Sequence, residues 1–133
     1  MHNFTWEIRG KTTSGCGILY KQYSKVDIHD HQSANDAAVR DVHLTNQHLH
    51  VHQWLVMVID MENVKLSRHV IAFAKKCVAH NMPRVTSIYV VNSPMWARLV
   101  CKAVFCLIGD DDKDMVQLCT GSYATIKDEV EAI

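Results

Sequence analysis

The pattern of hydrophobic and polar positions predicts strands that alternate with helices through most of the chain. Residues 18–23 are rich in β-forming side chains and predict a short strand. The continuous apolar run at 54–59 is typical of a strand buried on both faces, as in a parallel sheet, and residues 87–91 predict a second buried strand. Another short strand is predicted near residues 116–119. These segments supply the candidate strands of one sheet.

Helices are predicted between these strands, because apolar residues recur there at three- and four-residue spacing. The first covers residues 34–47. Ser33, together with Asp36 three residues later, resembles a capping box at the start of this helix. The second covers residues 66–80, a third follows the strand after it, and a polar helix closes the chain near residues 123–132. The order βαβαβαβα predicts an α/β fold: a mostly parallel sheet of about four to five strands flanked by helices.

The composition is that of one globular domain. The chain has 133 residues, of which 48% are hydrophobic and 21% are charged. It contains no internal repeat, low-complexity tract or second-domain linker, so we expect a single domain over residues 1–133. Residues 1–17 are rich in Thr, Ser and Gly without a sustained period, and residues 1–13 are expected to form a loose leader.

Charge and cysteine content limit the classes of partner and the cellular compartment that we expect. Basic and acidic residues number 14 each, so the composition gives no electrostatic signal for nucleic-acid binding, and no nucleic-acid partner is expected. Its apolar runs are shorter than the roughly 20 residues of a membrane span. The N-terminus lacks a secretory signal, and the five cysteines form no C-x-x-C pair. Reduced thiols in a cytoplasmic protein are therefore expected.

The segment 94–108 is the most unusual stretch of the chain. Its charges, Arg98 and Lys102, lie four residues apart on one narrow stripe of a helix, and nearly all other positions are apolar. Such a helix must bury most of its surface away from water. It is either an ordinary crossover helix in the core or a helix that borders an apolar ligand cavity and meets lipid or a partner on its other side.

Residues 60–96 contain a series of motifs in a fixed order. The chain has Asp60 after an apolar strand, then a helix, then Pro-Arg-Val-Thr-Ser-Ile-Tyr-Val-Val-Asn-Ser-Pro-Met-Trp at 83–96. This order resembles the CRAL-TRIO lipid-binding family, whose members show a strand ending in Asp, a helix, an Ile-Tyr-Ile-Ile-Asn-x-Pro strand and then an apolar gate helix. The stretch 14–20 is similar to the start of the family's first sheet strand, and 120–123 is similar to the turn after its last one. The resemblance covers residues 14–133.

The resemblance implies a domain that encloses one hydrophobic lipid between a sheet floor and a mobile gate helix, and that transfers or senses this lipid. Burial of a long tail is favourable by about 0.8 kcal/mol per methylene, so an apolar slot extracts lipid without a cofactor. A membrane surface is then a transient partner, and Trp96 suits an interface. The carboxylates of the acidic stretch 109–115 would repel a phosphate, so a less acidic lipid or an uncharged hydrophobe fits at least as well as phosphatidylinositol. Cys16 and Gly17, which replace the family's usual Arg-Pro, indicate a divergent or shortened member.

The residues predicted to contact lipid form two groups. The gate residues are Trp96, Leu99, Val100, Ala103, Val104 and Leu107. The floor residues are Ile88, Val90, Val116 and Leu118. The sequence does not determine which face of each strand lines the pocket.

The sequence leaves two alternative functions open. One is a noncatalytic protein-interaction module with a lost lipid pocket, whose partner is a protein. The other is a metal-dependent enzyme built on His48, His50 and His52, which would share one face of a strand; in a helix, His48 and His52 lie one turn apart. The simpler interpretation is solvated histidines around a helix end. No catalytic motif occurs, and Cys77 and Cys119 fall on apolar faces, so we expect no enzyme activity, no metal and no cofactor.

Overall fold

The computed structural model describes residues 5–26, 28–51, 54–65, 67–81, 85–96, 99 and 116–133. Among these residues, five strands form one sheet in sequential order. They are β1 (Thr5–Lys11), β2 (Gly17–Gln22), β3 (Leu55–Asp60), β4 (Val85–Val91) and β5 (Val116–Leu118). β1 is antiparallel to β2, and the other neighbours are parallel. The predicted α/β fold with a mostly parallel sheet is confirmed.

The described helices are α1 (His31–Val51), α2 (Arg68–Asn81) and α3 (Tyr123–Glu131), together with a 3-10 turn at Tyr23–Lys25. α1 joins β2 to β3 and α2 joins β3 to β4, because parallel neighbours require a crossover. The first two helices and the last one therefore lie where the apolar spacing predicts them. Most of the predicted apolar helix after β4 lies outside the described residues.

The N-terminal region differs from the expected loose leader, because residues 5–11 form β1 at the edge of the sheet. Its pairing with β2 places Ile8 opposite Leu19, and the register shifts between Ile8 and Lys11. Gly10 lies within this irregular stretch at φ +106°, a backbone conformation that glycine adopts without steric cost. A bulge with charged neighbours is typical of an edge strand that resists pairing with another chain.

The sheet separates two apolar clusters. On the side of α1 and α2, the buried sheet residues are Leu19, Leu55, Met57, Ile59, Val85, Ile88 and Val90. On the side of α3, they are Ile18, Tyr20, Val56, Val58, Tyr89 and Val91. Burial of one such large apolar side chain contributes about 1.5–3 kcal/mol to folding. The first side is called the helix-layer face below, and the second is called the α3 face.

α1 begins earlier than the sequence predicts, at His31, because a different pair of residues caps it. The Asp30 Oδ1 atom accepts a hydrogen bond from the Ser33 backbone N–H at 2.7 Å, and the Ser33 Oγ atom accepts one from the Asp30 N–H at 3.0 Å. This reciprocal pair is a capping box with the carboxylate first. The predicted pair of Ser33 and Asp36 is wrong, since Asp36 instead accepts a hydrogen bond from Gln32 at 2.9 Å.

A buried ion pair connects β2 to α1 on the helix-layer face. The Lys21 ammonium lies 3.0 Å from the Asp41 carboxylate, and the two side chains are 2% and 0% exposed. Burial, and then the charge of Asp41, raise the pKa of the neighbouring Cys77 thiol. Removing one member of such a pair would leave an uncompensated buried charge, which costs about 3–5 kcal/mol. The pair therefore fixes α1 against the sheet.

No helix among the described residues combines the length and the apolar character that crossing a membrane requires.

Candidate functional site

The predicted floor residues share one face of the sheet. β4 and β5 pair in a register that places Ile88 opposite Val116 and Val90 opposite Leu118. Residues paired in this way point to the same side, and Ile88 and Val90 belong to the helix-layer face. Ile88 and Val90 are buried, Val116 is half-buried and Leu118 is 37% exposed. The structure thus brings the four side chains together in one patch, which becomes exposed to solvent at β5.

The gate residues are described only at the start of their segment. Trp96 is half-buried and packs against the helix-layer cluster, while Leu99 is 73% exposed and its backbone N–H donates to the Trp96 carbonyl at 3.2 Å. Val100, Ala103, Val104 and Leu107 lie outside the described residues. Lipid contact by any of the ten residues stays a prediction.

A small cavity lies on the helix-layer face at the carboxyl ends of β2 and β3. Its volume is about 200 Å³, which is below the roughly 300–1,000 Å³ of typical ligand pockets, so it is too small for a whole lipid. Its lining includes Tyr23, Val26, Ile28, Val64 and Val70. Sequence analysis missed Val26 and Ile28 within a polar turn, although their two-residue spacing is a signal that both point the same way.

A larger cleft lies on the α3 face, where β2, β3 and β4 reach their carboxyl ends. Its volume is about 800 Å³, and its lining is largely polar. The lining residues are Ile8, Arg9, Tyr20, Gln22, Asp60, Glu62, Asn92, Ser122, Tyr123, Ala124 and Lys127. Ligands of open α/β sheets commonly bind outside the carboxyl ends of the strands. We refer to this cavity as the polar cleft.

Asp60 organises the base of the polar cleft. Its Oδ2 atom accepts a hydrogen bond from the Tyr20 hydroxyl. Its Oδ1 atom accepts hydrogen bonds from the Asn92 side-chain amide at 3.0 Å and from the Glu62 backbone N–H at 2.9 Å. Asp60 is 6% exposed, so these donors satisfy a nearly buried carboxylate. The Asp and Asn that mark the strand ends in the sequence therefore hold β3 and β4 together.

Two tyrosines and an arginine form the wall of the cleft beside β1. The Arg9 guanidinium lies 3.9 Å from the centroid of the Tyr20 ring and 6.0 Å from that of Tyr123, distances that permit cation–π attraction. Burial, and then the hydrogen bond to Asp60, raise the pKa of Tyr20 to about 12. Burial, and then the charge of Glu131, raise the pKa of Tyr123. Both phenols are therefore protonated donors at neutral pH.

The positions of the histidines and of Cys119 bear on the metal and thiol alternatives. No group of three His, Cys, Asp or Glu side chains in this part of the chain could hold a metal ion. Residues 48–50 belong to α1, so the alternative in which His48, His50 and His52 alternate along a strand is wrong. Burial, and then the charge of Glu129, raise the pKa of the Cys119 thiol, which lowers its reactivity as a nucleophile.

The sequence and the fold match known proteins as follows. A family model of the CRAL/TRIO domain matches residues 3–132. No curated protein matches the sequence significantly. The fold is similar to the crystal structure of Sfh5, with a TM-score of 0.71 and 12% sequence identity. The match covers 93% of this chain and 49% of that chain, so this chain spans about half the length of Sfh5. At this identity the structural likeness concerns the fold alone.

Proposed function

The chain belongs to the CRAL/TRIO family of lipid-binding domains, and we propose that it encloses one hydrophobic lipid against the β4–β5 part of the helix-layer face. The observation that supports this site is the shared face of Ile88, Val90, Val116 and Leu118. An apolar floor that opens outward at Leu118 offers a lipid tail favourable burial of about 0.8 kcal/mol per methylene. The apolar segment 94–108 would cover this floor as the gate.

The start of the gate segment supports contact with a membrane during lipid exchange. Met95 is 95% exposed and Leu99 is 73% exposed, and the half-buried Trp96 lies between them in the sequence. Exposed apolar side chains beside an indole suit the boundary between water and acyl chains. Transfer or sensing of the lipid at a membrane surface follows as the proposed role.

The proposed location is the cytoplasm. Cys16, Cys77 and Cys119 are free thiols in the structure, in agreement with a reducing compartment. Lipid binding of this kind requires no catalytic group or cofactor, because the transfer free energy comes from apolar burial. We therefore propose a noncatalytic lipid-binding protein.

Native mass spectrometry and organic extraction of the purified chain test the proposal. We expect one lipid per chain, with an uncharged or weakly acidic headgroup. Leu118→Asp and Val100→Asp should reduce lipid occupancy by about tenfold or more without unfolding the protein, because a charge in an apolar floor or gate opposes burial of the tail. Val39→Asp is the matched control, since Val39 is 63% exposed on α1.

Two outcomes would contradict this function. A lipid-free protein that copurifies with a protein partner would favour the interaction module with a lost pocket. Unfolding of Val100→Asp, with lipid occupancy intact in Leu118→Asp, would identify the apolar segment as an ordinary core helix.

A further inference from the structure

We propose that the polar cleft is a second ligand site, which binds a small phosphate ester of a polyhydroxy compound through Arg9, Lys127 and the first turn of α3. This cleft lies on the α3 face, and the proposed lipid floor lies on the helix-layer face. The inference is therefore independent of the proposed lipid function. The cavity volume of about 800 Å³ suits a small molecule.

Two cations line the cleft from separate elements. Arg9 extends from β1 and stacks at 3.9 Å on the Tyr20 ring, which positions its guanidinium over the cleft wall. Lys127 comes from α3, one turn after the residues that open the helix. Its side chain is 57% exposed and its ammonium lies 3.9 Å from the Glu131 carboxylate, an exposed ion pair that a phosphate would compete with. A planar guanidinium binds phosphate oxygens in a bidentate manner, and an ammonium adds a second positive charge.

The start of α3 faces the same cavity. Ser122, Tyr123 and Ala124 line the cleft, and Ser122 makes no side-chain hydrogen bond that caps the helix. Backbone N–H groups at a helix start, together with the helix dipole, favour an anion. An oxyanion at this position would act as the missing cap.

Tyr123 provides an independent reason to expect a ligand. The residue lines the cleft and is only 7% exposed, yet its hydroxyl has no hydrogen-bond partner among the described residues. A buried hydroxyl without a partner is unfavourable, and its proton remains on the oxygen at neutral pH. A small shift of the side chain towards a phosphate oxygen would satisfy this donor.

The acidic residues of the cleft explain why the ligand should carry hydroxyl groups. Both Asp60 oxygens already accept hydrogen bonds, whereas Glu62 is exposed at the same cavity. Carboxylates and the side-chain amides of Gln22 and Asn92 accept hydrogen bonds from hydroxyl donors. The lining therefore offers cations to a phosphate and hydrogen-bond acceptors to hydroxyl groups.

Titration of the ¹⁵N-labelled full chain with glycerol 3-phosphate, followed by amide NMR, tests the site. We expect saturable shifts at Arg9 and at residues 122–124, tighter binding than for inorganic phosphate, and no binding of glycerol. Arg9→Gln and Lys127→Gln should each raise the dissociation constant by about tenfold, and Tyr123→Phe should raise it by about threefold. Arg68→Gln and Lys25→Gln are matched controls, since both residues are exposed and neither lines the cleft.

A parallel experiment separates a soluble phosphate ester from a lipid headgroup. Phosphatidylcholine vesicles with and without phosphatidic acid are sedimented with the wild type and with Lys127→Gln. The headgroup is the source if vesicle binding requires phosphatidic acid, is weakened in Lys127→Gln and is reduced by added glycerol 3-phosphate. Binding of glycerol 3-phosphate alone assigns a soluble ester.

Three results would overturn the proposal. They are the absence of saturable shifts with glycerol 3-phosphate, shifts centred away from the cleft, and an equal loss of affinity in the Arg68→Gln and Lys25→Gln controls. Lys127→Gln decides the outcome if Arg9→Gln proves unstable, because Lys127 lies on the exposed side of α3.

Discussion

At the scale of single residues, Asp60 determines how three strands meet at their carboxyl ends. It accepts hydrogen bonds from Tyr20 on β2 and from Asn92 after β4, while being the last residue of β3 itself. Asn92 adopts a positive φ of 51°, a conformation that asparagine tolerates better than most residues. Its amide therefore reaches back to Asp60 at little steric cost.

The first residue-scale prediction compares two buried tyrosines on the same face of the sheet. Tyr20→Phe removes a donor from a nearly buried carboxylate, and the free energy of unfolding should fall by about 1–3 kcal/mol. Tyr123→Phe should change it by less than about 0.5 kcal/mol, since that hydroxyl has no partner in the described part of the chain. Urea denaturation measures both. Equal losses in the two variants would contradict the role given to the Tyr20–Asp60 hydrogen bond.

The same hydrogen bond predicts a dependence on alkaline pH. The pKa of Tyr20 is about 12 in the folded protein, against 10.0 for the free phenol, so protonation favours the folded state. The contribution of Tyr20 to stability should be complete below pH 10 and should disappear as the pH rises towards 12. Denaturation at a series of pH values should show a smaller alkaline loss in Tyr20→Phe than in the wild type.

At the scale of elements, local hydrogen bonding decides where α1 begins. Ser33→Ala should lower the free energy of unfolding by about 1 kcal/mol, because the Ser33 hydroxyl accepts from the Asp30 N–H and donates to the Asp30 carbonyl. Asp36→Ala should have an effect below about 0.5 kcal/mol, since Asp36 is exposed. Urea denaturation again measures the difference. A larger loss in Asp36→Ala would restore the capping pair that the sequence predicts.

The charge of Asp30 adds a pH dependence at this helix start. The Ser33 backbone N–H, followed by its hydroxyl, lowers the pKa of the Asp30 carboxyl from 3.8. A lowered pKa means that the contribution is complete above pH 3.8 and is lost as the pH falls through the folded value. The helix start should therefore weaken only in acid.

At the scale of the whole molecule, the sheet separates two chemical environments. The helix-layer face is apolar apart from the buried Lys21–Asp41 ion pair, and the α3 face ends in the polar cleft. The β1–β2 turn is joined to the C-terminal end of α3 on the second side, because the Thr13 and Ser14 N–H groups donate to the Glu131 and Ile133 carbonyls at 2.9 Å. A lipid and a phosphate ester would consequently bind without competing for the same residues.

Exposed apolar residues at the start of the gate segment lead to a prediction for the whole molecule at a membrane. Leu99→Asp should reduce the rate of lipid transfer between phosphatidylcholine vesicles by roughly tenfold, because insertion of a leucine contributes on the order of 1.5 kcal/mol. A fluorescence transfer assay gives the rate. Val39→Asp serves as the control, and an equal loss in that variant would indicate a general effect of charge.

The sequence predicted the elements with strong local signals. The apolar runs that became β3 and β4 lie within one or two residues of their predicted bounds, because strands buried on both faces carry apolar side chains at successive positions. The alternation of strands and helices predicted the parallel sheet, because parallel neighbours require a crossover. The edge strand β1 was missed although Trp6 and Ile8 alternate with polar residues, because this alternation is short and the register shifts between Ile8 and Lys11.

The sequence by itself determined the fold class and the candidate floor residues, because apolar periodicity is a local property of the chain. Only the tertiary structure decided that Ile88, Val90, Val116 and Leu118 share a face, since strand register depends on pairing between distant segments. Likewise, Arg9, Asp60 and Lys127 are far apart in the sequence and meet only at the ends of the strands. The polar cleft was therefore invisible until the sheet and α3 brought these residues together.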